Sequence, residues 1–400
     1  MTILVLNAGS SSLKWKLFEL EKTEVIASGL IEGIGEESSL FHLYHGPKER
    51  KRTQTIPDHQ SAFSMLFERF EKEQIIDIRQ ELDVIGHRVV HGGEQFYRPT
   101  IIDKKILDDL KTLHPLAPLH NPANVLGIEI TFREAPYIPN VAVFDTAFHH
   151  SIPEYAFRYA LPTELYETEH IRRYGFHGTS HRFVAEETAK ALGLPLNTLN
   201  LITLHLGNGA SACAIRKGES VDTSMGFTPL EGLIMGTRSG DIDPAIVTYL
   251  MDRLNLDTAR INDLLNRESG LKGICDENDL RTIVQRAGNG DEQARLALDM
   301  FAYRVKKYIG SYVAVLGKVD AIVFTGGIGE HAALIRTLVL EGLDTAFGIM
   351  LDPLLNRHES GETEAIHSQK SRIGVYVVPT DEELEIAREC GKLISKQQNS

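Results

Sequence analysis

LITLHLGNGASACAIRKGES, residues 201–220, is the stretch on which the reading of the fold turns. Leu201 to Leu206 form an apolar run, a turn of Gly, Asn and Ser follows, and ACAIRKGES returns. A strand, a tight turn and a second strand fit this order. The same layout opens the chain, where Ile3 to Leu6 run into NAGSSS and then into the alternating LKWKLFEL. The likeness is one of layout more than of letters. It suggests an internal duplication with one copy in each half, and it is also open to the plainer reading that any two hairpins look alike.

Between and after the hairpins come amphipathic stretches: SAFSMLFERFEKE from Ser61, HRFVAEETAKALG from His181, and ARLALDMFAYRVKKYIGSYVAVLG from Ala294. Their apolar spacing predicts helices. The last leads into a buried strand, DAIVFTGG, and then into GIGEHAALIRTLVLEGL, a glycine turn opening a helix. Helices alternating with strands indicate an α/β fold, and 400 residues exceed what one core usually serves, so two domains are expected. The boundary is expected near Asp145 to Pro153, giving residues 1–147 plus 380–400 and residues 148–379.

With 42% hydrophobic and 24% charged residues, the chain has the composition of an ordinary globular protein. Its formal net charge of -13 argues against a general nucleic-acid or anionic-lipid surface. An anionic substrate would need a local cluster of cations, helix ends or metal. Nothing approaches the roughly 18 apolar residues of a membrane span, and MTILVLNAGSS reads as a strand and not as a signal peptide. Cys213, Cys275 and Cys390 stand far apart without a CxxC pair, which suggests neither a disulfide framework nor a zinc site. The expected compartment is the cytoplasm.

Three glycine or serine turns, Asn7 to Ser12, Gly207 to Ser211 and Gly326 to Glu330, each follow an apolar strand. Such turns bring backbone N–H groups close to phosphate oxygens, and three together favour nucleotide binding over three plain hairpin turns. No GxxxxGK[ST], helix-opening GxGxxG, HRD or DFG occurs, so the common nucleotide folds are set aside. Arg88 ends the run LDVIGHRVV, where a buried cation needs an anionic partner. Arg238 lies in the glycine-rich loop MGTRSGDIDP and offers a donor fork for carboxylate or phosphate, unless it is a solvated loop residue. His177, in RRYGFHGTSH, suits a hydrogen bond to phosphate. The four-residue spacings His87/His91 and His177/His181 sit among glycines and do not form a zinc motif. Asp145 ends NVAVFDTAF at the edge where α/β sheets bind ligands, or else serves as a cap. In PTDEEL, Thr380 and Glu383 form a capping box, which leaves Glu382 to face a cation.

These motifs, NAGSSSLK, GHRVVHGG, HPLAPLHNP, VFDTAFH, RRYGFHGTSH, HLGNGAS, DTSMGFTPLEGLIMGTRSGDIDP, FTGGIGE and PTDEEL, run over essentially the whole chain. On them the chain resembles the acetate kinases, within the acetate and sugar kinase and actin superfamily. The resemblance implies two similar ribonuclease-H-like, actin-like ATPase domains with an active-site cleft between them. It implies a reversible in-line transfer of the ATP γ-phosphoryl group to acetate, giving acetyl phosphate and ADP. Such chemistry needs positioning and charge neutralisation more than a base, because the acceptor carboxylate is already ionised at neutral pH.

The same resemblance assigns residues. ATP or ADP would contact Lys14, His205, Leu206, Gly207, Asn208 and Gly209, then Asp279, Leu280 and Arg281, then Gly327, Ile328, Gly329, Glu330 and His331. Mg²⁺, with Mn²⁺ as an alternative, would be held by Asn7 and Glu382. Arg88 and Arg238 would grip carboxylate and phosphate, His177 would bond the phosphoryl group in flight, and Asp145 would position metal or acceptor. Val90, Leu119, Phe176 and Pro229 would receive the methyl group, where each could equally be plain core. Two features depart from the family pattern: His331 stands where Asn is common, and SGLKGICDENDLR spaces its DLR differently. The implied assembly is a homodimer. A propionate or butyrate kinase of the same family is the near alternative, and a nucleotide-driven chaperone-like ATPase the distant one.

Overall fold

The structure is a computed structural model that describes residues 1–118 and 120–398. Its contacts divide the chain into two compact units, Met1–Ala147 with Asp381–Ser400, and Phe148–Thr380. The strands of the first unit are β1 (Thr2–Ala8), β2 (Ser12–Glu19), β3 (Glu24–Glu32), β4 (Ser39–His45), β5 (Lys48–Gln54), β6 (Val84–Val89), β7 (Thr100–Ile101) and β8 (Asn140–Phe144). Those of the second are β9 (Asn200–Leu206), β10 (Ala210–Arg216), β11 (Glu219–Thr223), β12 (Ala321–Thr325), β13 (Glu364–Ala365) and β14 (Gly374–Val377). The helices that bear on the site are α1 (His59–Lys72), α2 (Asn121–Glu134), α3 (Gly178–Leu192), α4 (Leu280–Gly288), α5 (Glu292–Leu316), α6 (Gly326–His331), α7 (Ala333–Leu340) and α8 (Glu382–Gln398).

In the first sheet the order is β5-β4-β3-β2-β1-β6-β8-β7, with β1 to β3 antiparallel and β6 and β8 running parallel to β1. The second sheet runs β11-β10-β9-β12-β14-β13, again an antiparallel trio continued by two parallel strands. The repeated hairpin layout of the sequence is therefore a repeated topology, and the fold class is two α/β units of the same plan.

Local chemistry explains the elements. The parallel strands β8 and β12 are buried along their whole length, so they are apolar except for Asn140 at the start of β8 and Thr325 at the end of β12. β5, KERKRTQ, is exposed throughout and lies at the sheet edge, where its charges oppose pairing with another chain. Asp58 caps α1, accepting from the Ser61 N–H at 2.7 Å. That helix buries Phe63, Leu66 and Phe70, and Phe70 meets the Trp15 ring edge-on at 5.1 Å.

On the first sheet's other face, α8 packs Ile386, Ala387 and Cys390 against Ile3, Val5, Val84, Val141 and Val143. Gly86 in GHRVV is small for this reason: a Cβ there would lie 2.8 Å from Cys390 Sγ. In the second unit α3 covers β9 and β12, and α5 lies on β10.

Two local expectations are corrected. The helix after FTGG breaks at Ala332 into α6 and α7. The start of α8 is capped by Asp381, whose Oδ1 accepts from the Leu384 N–H at 3.0 Å, and not by Thr380 with Glu383. Glu383 is taken up elsewhere: its Oε1 lies 2.6 Å from Lys14 Nζ and its Oε2 3.4 Å from Lys16 Nζ.

Candidate active site

A cavity of about 770 Å³ in the second unit gathers three stretches far apart in sequence. Gly207 and Asn208 come from the β9–β10 turn, Asp279, Leu280 and Arg281 from the start of α4, and Gly327, Ile328 and His331 from α6. Asn278, Val284, Ala332, Ala333 and Leu334 complete its wall. None of these five was singled out from sequence. Val284 lies one helical turn after Leu280, and the other alanine and leucine positions follow directly on GIGEH, which was the available signal. The volume lies in the range of small-molecule sites.

Asp279 caps α4, accepting from the Arg281 N–H at 2.9 Å, and its carboxylate also meets the Arg281 guanidinium at 2.6 Å. That side-chain bond, with the backbone one, pulls the Asp279 carboxyl down to about 2. The Arg281 side chain is 91% exposed, so the pair defines a shape at the rim and adds little stability. His331 lines the cavity too, with Nδ1 at 3.4 Å from Glu359 Oε2.

His205, Leu206, Gly209, Gly329 and Glu330 are not part of that wall. Leu206 is buried, and its carbonyl oxygen would lie 2.7 Å from a Cβ on Gly326, whose φ of +75° already requires glycine. Glu330 turns back onto the protein, with Oε1 accepting from the N–H groups of Gly326 at 2.9 Å and Thr380 at 3.2 Å. The carbonyls of Gly329 and Glu330 accept from the buried Arg336 guanidinium at 2.8 and 2.7 Å. These residues shape the α6 turn from behind.

His177 and Arg238 meet around Gly209. A Cβ on that glycine would lie 3.4 Å from His177 Nε2 and 3.8 Å from Arg238 Nη1. His177 precedes α3 with a left-handed φ of 56°, an uncommon conformation for a side-chain-bearing residue and one often kept at functional sites. Its Nδ1 lies 3.0 Å from Ser211 Oγ, and Ser211 Oγ lies 2.8 Å from Nε2 of the buried His181. The His205 ring stands 4.3 Å from that of His177 and its Nδ1 bonds Ser180 Oγ at 2.8 Å.

Arg238 is the exception among the site cations. Burial lowers its pKa, and among the described residues no carboxylate pairs with it. Its guanidinium makes long contacts, 3.4 Å to the Pro229 carbonyl and 3.9 Å to Met235 Sδ. A desolvated cation without an anion is costly, and a bound anion would relieve that cost.

The first unit holds the other group. Arg88, in β6, donates Nε to Asp145 Oδ1 at 3.0 Å and Nη2 to Oδ2 at 2.6 Å, and its Nε lies 3.6 Å from Glu382 Oε2. Asp145 follows β8 and is fixed there by its N–H bond to the Val89 carbonyl at 3.0 Å. Burial opposes the charge on Arg88, but Asp145 and Glu382 outweigh it and hold the guanidinium protonated. Burial pushes the Asp145 carboxyl above its ordinary value, and the Arg88 guanidinium pulls in the opposite direction.

Asn7 lies opposite Lys14 in the β1–β2 register, and Lys14 reaches Glu383, the neighbour of Glu382. Among the described residues no group of three His, Cys, Asp or Glu side chains is placed to hold a metal ion. The amide and carboxylate oxygens of Asn7 and Glu382 are hard donors, which suits a divalent ion that keeps waters and takes phosphate oxygens. Val90 and Phe176 are buried and Pro229 is half-buried, while Leu119 lies outside the described residues.

Two units of ribonuclease-H-like plan, with a turn-lined cavity and arginine and histidine donors, define a nucleotide-dependent phosphotransferase. The Acetokinase family pattern matches residues 2–388, and the chain belongs to that family. It is 56% identical to the acetate kinase of a Sulfurovum species over 396 residues, which cover 99% of this chain and 100% of that one. The crystal structure of Porphyromonas gingivalis acetate kinase superposes with a TM-score of 0.93 at 42% identity, covering 98% of this chain and 99% of that one. A propionate kinase from Francisella tularensis gives 0.92, also at 42% identity, over 97% and 98% of the two chains.

Proposed function

We propose that this protein transfers the γ-phosphoryl group of ATP to acetate, giving acetyl phosphate and ADP, and runs the reaction in both directions. The observation that carries the reading is Arg238 with His177: a desolvated guanidinium with no carboxylate partner among the described residues, near an imidazole whose Nδ1 is held by Ser211. These donors would receive the charge of the phosphoryl group in transit.

The nucleotide would occupy the cavity at Gly207, Asn208, Asp279 to Arg281, Gly327, Ile328 and His331. Lys14, His205, Leu206, Gly209, Gly329 and Glu330 would then shape or flank the phosphate end. Arg88 would orient the acceptor carboxylate and Asp145 would fix Arg88. Asn7 and Glu382 would hold Mg²⁺, or Mn²⁺, which when bound neutralises phosphate charge. Val90, Leu119, Phe176 and Pro229 would bound the methyl group.

Propionate is the second reading, favoured by a propionate kinase as similar in identity as an acetate kinase. One methylene changes binding by only about 1–3 kcal/mol. Comparing kcat/KM for acetate, propionate and butyrate decides: acetate first supports the assignment, and butyrate first overturns it.

A homodimer is supported by helix Ala245–Leu254, which buries none of its residues and exposes Ile246, Tyr249 and Leu254. No helix among the described residues is long and apolar enough to cross a membrane. Three free, buried cysteines suit a cytoplasmic location.

A further inference from the structure

Away from the cavity, the second unit holds a half-buried ionic clamp to which the reading above gives no task. Glu231 is gripped at both oxygens: Oε1 accepts from Arg173 Nη2 at 2.6 Å, and Oε2 accepts from the Tyr159 hydroxyl. Burial, with Glu231 adding to it, keeps the Tyr159 phenol protonated and hence a donor. The Tyr159 oxygen accepts in turn from the Phe227 N–H at 2.9 Å. Arg173 also turns Nη1 onto the carbonyls of Thr223, Ser224 and Met225 at 2.8, 3.2 and 3.2 Å. A Cβ on Gly226 would fall 1.7 Å from Glu231 Oε2 and 2.1 Å from the Tyr159 oxygen, so only glycine fits where the clamp closes.

The clamp joins two segments that matter. Arg173 belongs to RRYGFHG, whose Tyr174 and Gly175 N–H groups bond the Gly226 carbonyl at 3.0 and 3.2 Å just before Phe176 and His177. Glu231 sits in the loop that carries Pro229 before it and Arg238 after it, and the Pro229 carbonyl accepts from Arg238 Nη1. The loop's far end is tied as well. Asp241 Oδ1 accepts from the Gly232 N–H at 2.7 Å, and Asp241 Oδ2 accepts from the Tyr308 hydroxyl at 2.9 Å. Between these ties the Gly236 N–H bonds the Asn208 carbonyl at 2.9 Å.

A half-buried ion pair adds little to fold stability, because solvent screens it on one side and desolvation offsets it on the other, so orientation is the better account of this one. We propose that Glu231, with Arg173 and Tyr159, is a positioning device that locks the loop of Pro229 and Arg238 against the segment of Phe176 and His177. It thereby sets the spacing between the groups that meet phosphate and those that meet the acceptor. The inference rests on the roles proposed above for these four residues.

The test uses the full-length enzyme and the variants Glu231→Gln and Tyr159→Phe, with Gly226→Ala as a wedge. Thermal stability, KM for ATP, kcat, the acetate-to-propionate ratio of kcat/KM, and amide hydrogen exchange over residues 223–241 are measured. In the folded variants KM for ATP stays level, kcat falls about tenfold or more, the acetate preference narrows, and the loop amides exchange faster. Unchanged kcat and preference in a variant whose loop has lost protection would overturn the proposal. A wild-type enzyme that binds ATP but forms no acyl phosphate would instead refute the acceptor assignment. The exchange measurement alone would then decide the clamp: faster exchange supports it, and no change refutes it.

Discussion

Arg88 and Asp145 are joined by two hydrogen bonds, Nε to Oδ1 at 3.0 Å and Nη2 to Oδ2 at 2.6 Å, and Asp145 is almost wholly buried. A buried carboxylate left without its cation is strongly destabilising, by about 3–5 kcal/mol. Arg88→Ala is therefore expected to lower both kcat and melting temperature. Asp145→Asn keeps the size and one acceptor oxygen, so it should lose activity with a smaller thermal cost. Thermal melts run beside steady-state kinetics check this, and a fully stable Arg88→Ala enzyme would contradict the pairing.

Arg238 should behave in the opposite way. Its guanidinium is desolvated and has no carboxylate partner among the described residues, so Arg238→Ala removes a cost from the fold. The melting temperature is expected to hold or rise while kcat drops by about 10²–10³-fold, as for a lost charge-stabilising donor. Near-normal turnover in this variant would exclude the assigned role.

The cavity makes a separable prediction. Val284 faces it from α4, so Val284→Phe should raise KM for ATP and leave KM for acetate near its wild-type value. Initial-rate kinetics with each substrate varied in turn check this. Equal rises in both would place the nucleotide elsewhere.

Acid should weaken the fold through buried imidazoles. Burial pushes His87 and His149 down to about 4 and His91 to about 3, from an ordinary value near 6.5. Below about pH 6.5 the unfolded chain binds protons that the native chain refuses, so stability is full above that value. It is lost as pH falls towards 4, by up to about 3 kcal/mol for a group shifted like His87. Melting temperatures at about pH 7.5, 6.0 and 4.5 should fall in that order, and His87→Gln should flatten the slope. A level profile would contradict the neutral, buried state.

Much of this was legible in the sequence because it is written locally. A strand ending in Asp145, an arginine in an apolar run and glycine turns after strands each show in a few consecutive letters. What was not legible is pairing at a distance. Arg88 needs an anion by composition alone, but that the anion is Asp145, 57 residues on, is a property of the parallel β6–β8 register. The Thr380 to Glu383 capping pattern was misread because Asp381 offers a competing cap and two lysines on β2 claim Glu383. Glu330 reads as a ligand contact in GIGEH, yet its carboxylate is spent on backbone N–H groups. Val284 and Leu334 look like any core residue until the helices carrying them are placed.

The most direct measurement is capture of the product. Enzyme with ATP, Mg²⁺ and acetate, quenched with hydroxylamine, should yield acetyl hydroxamate in step with ADP, and omitting acetate should abolish both. ADP released at the same rate without acetate, and no hydroxamate with it, would contradict phosphoryl transfer to a carboxylate.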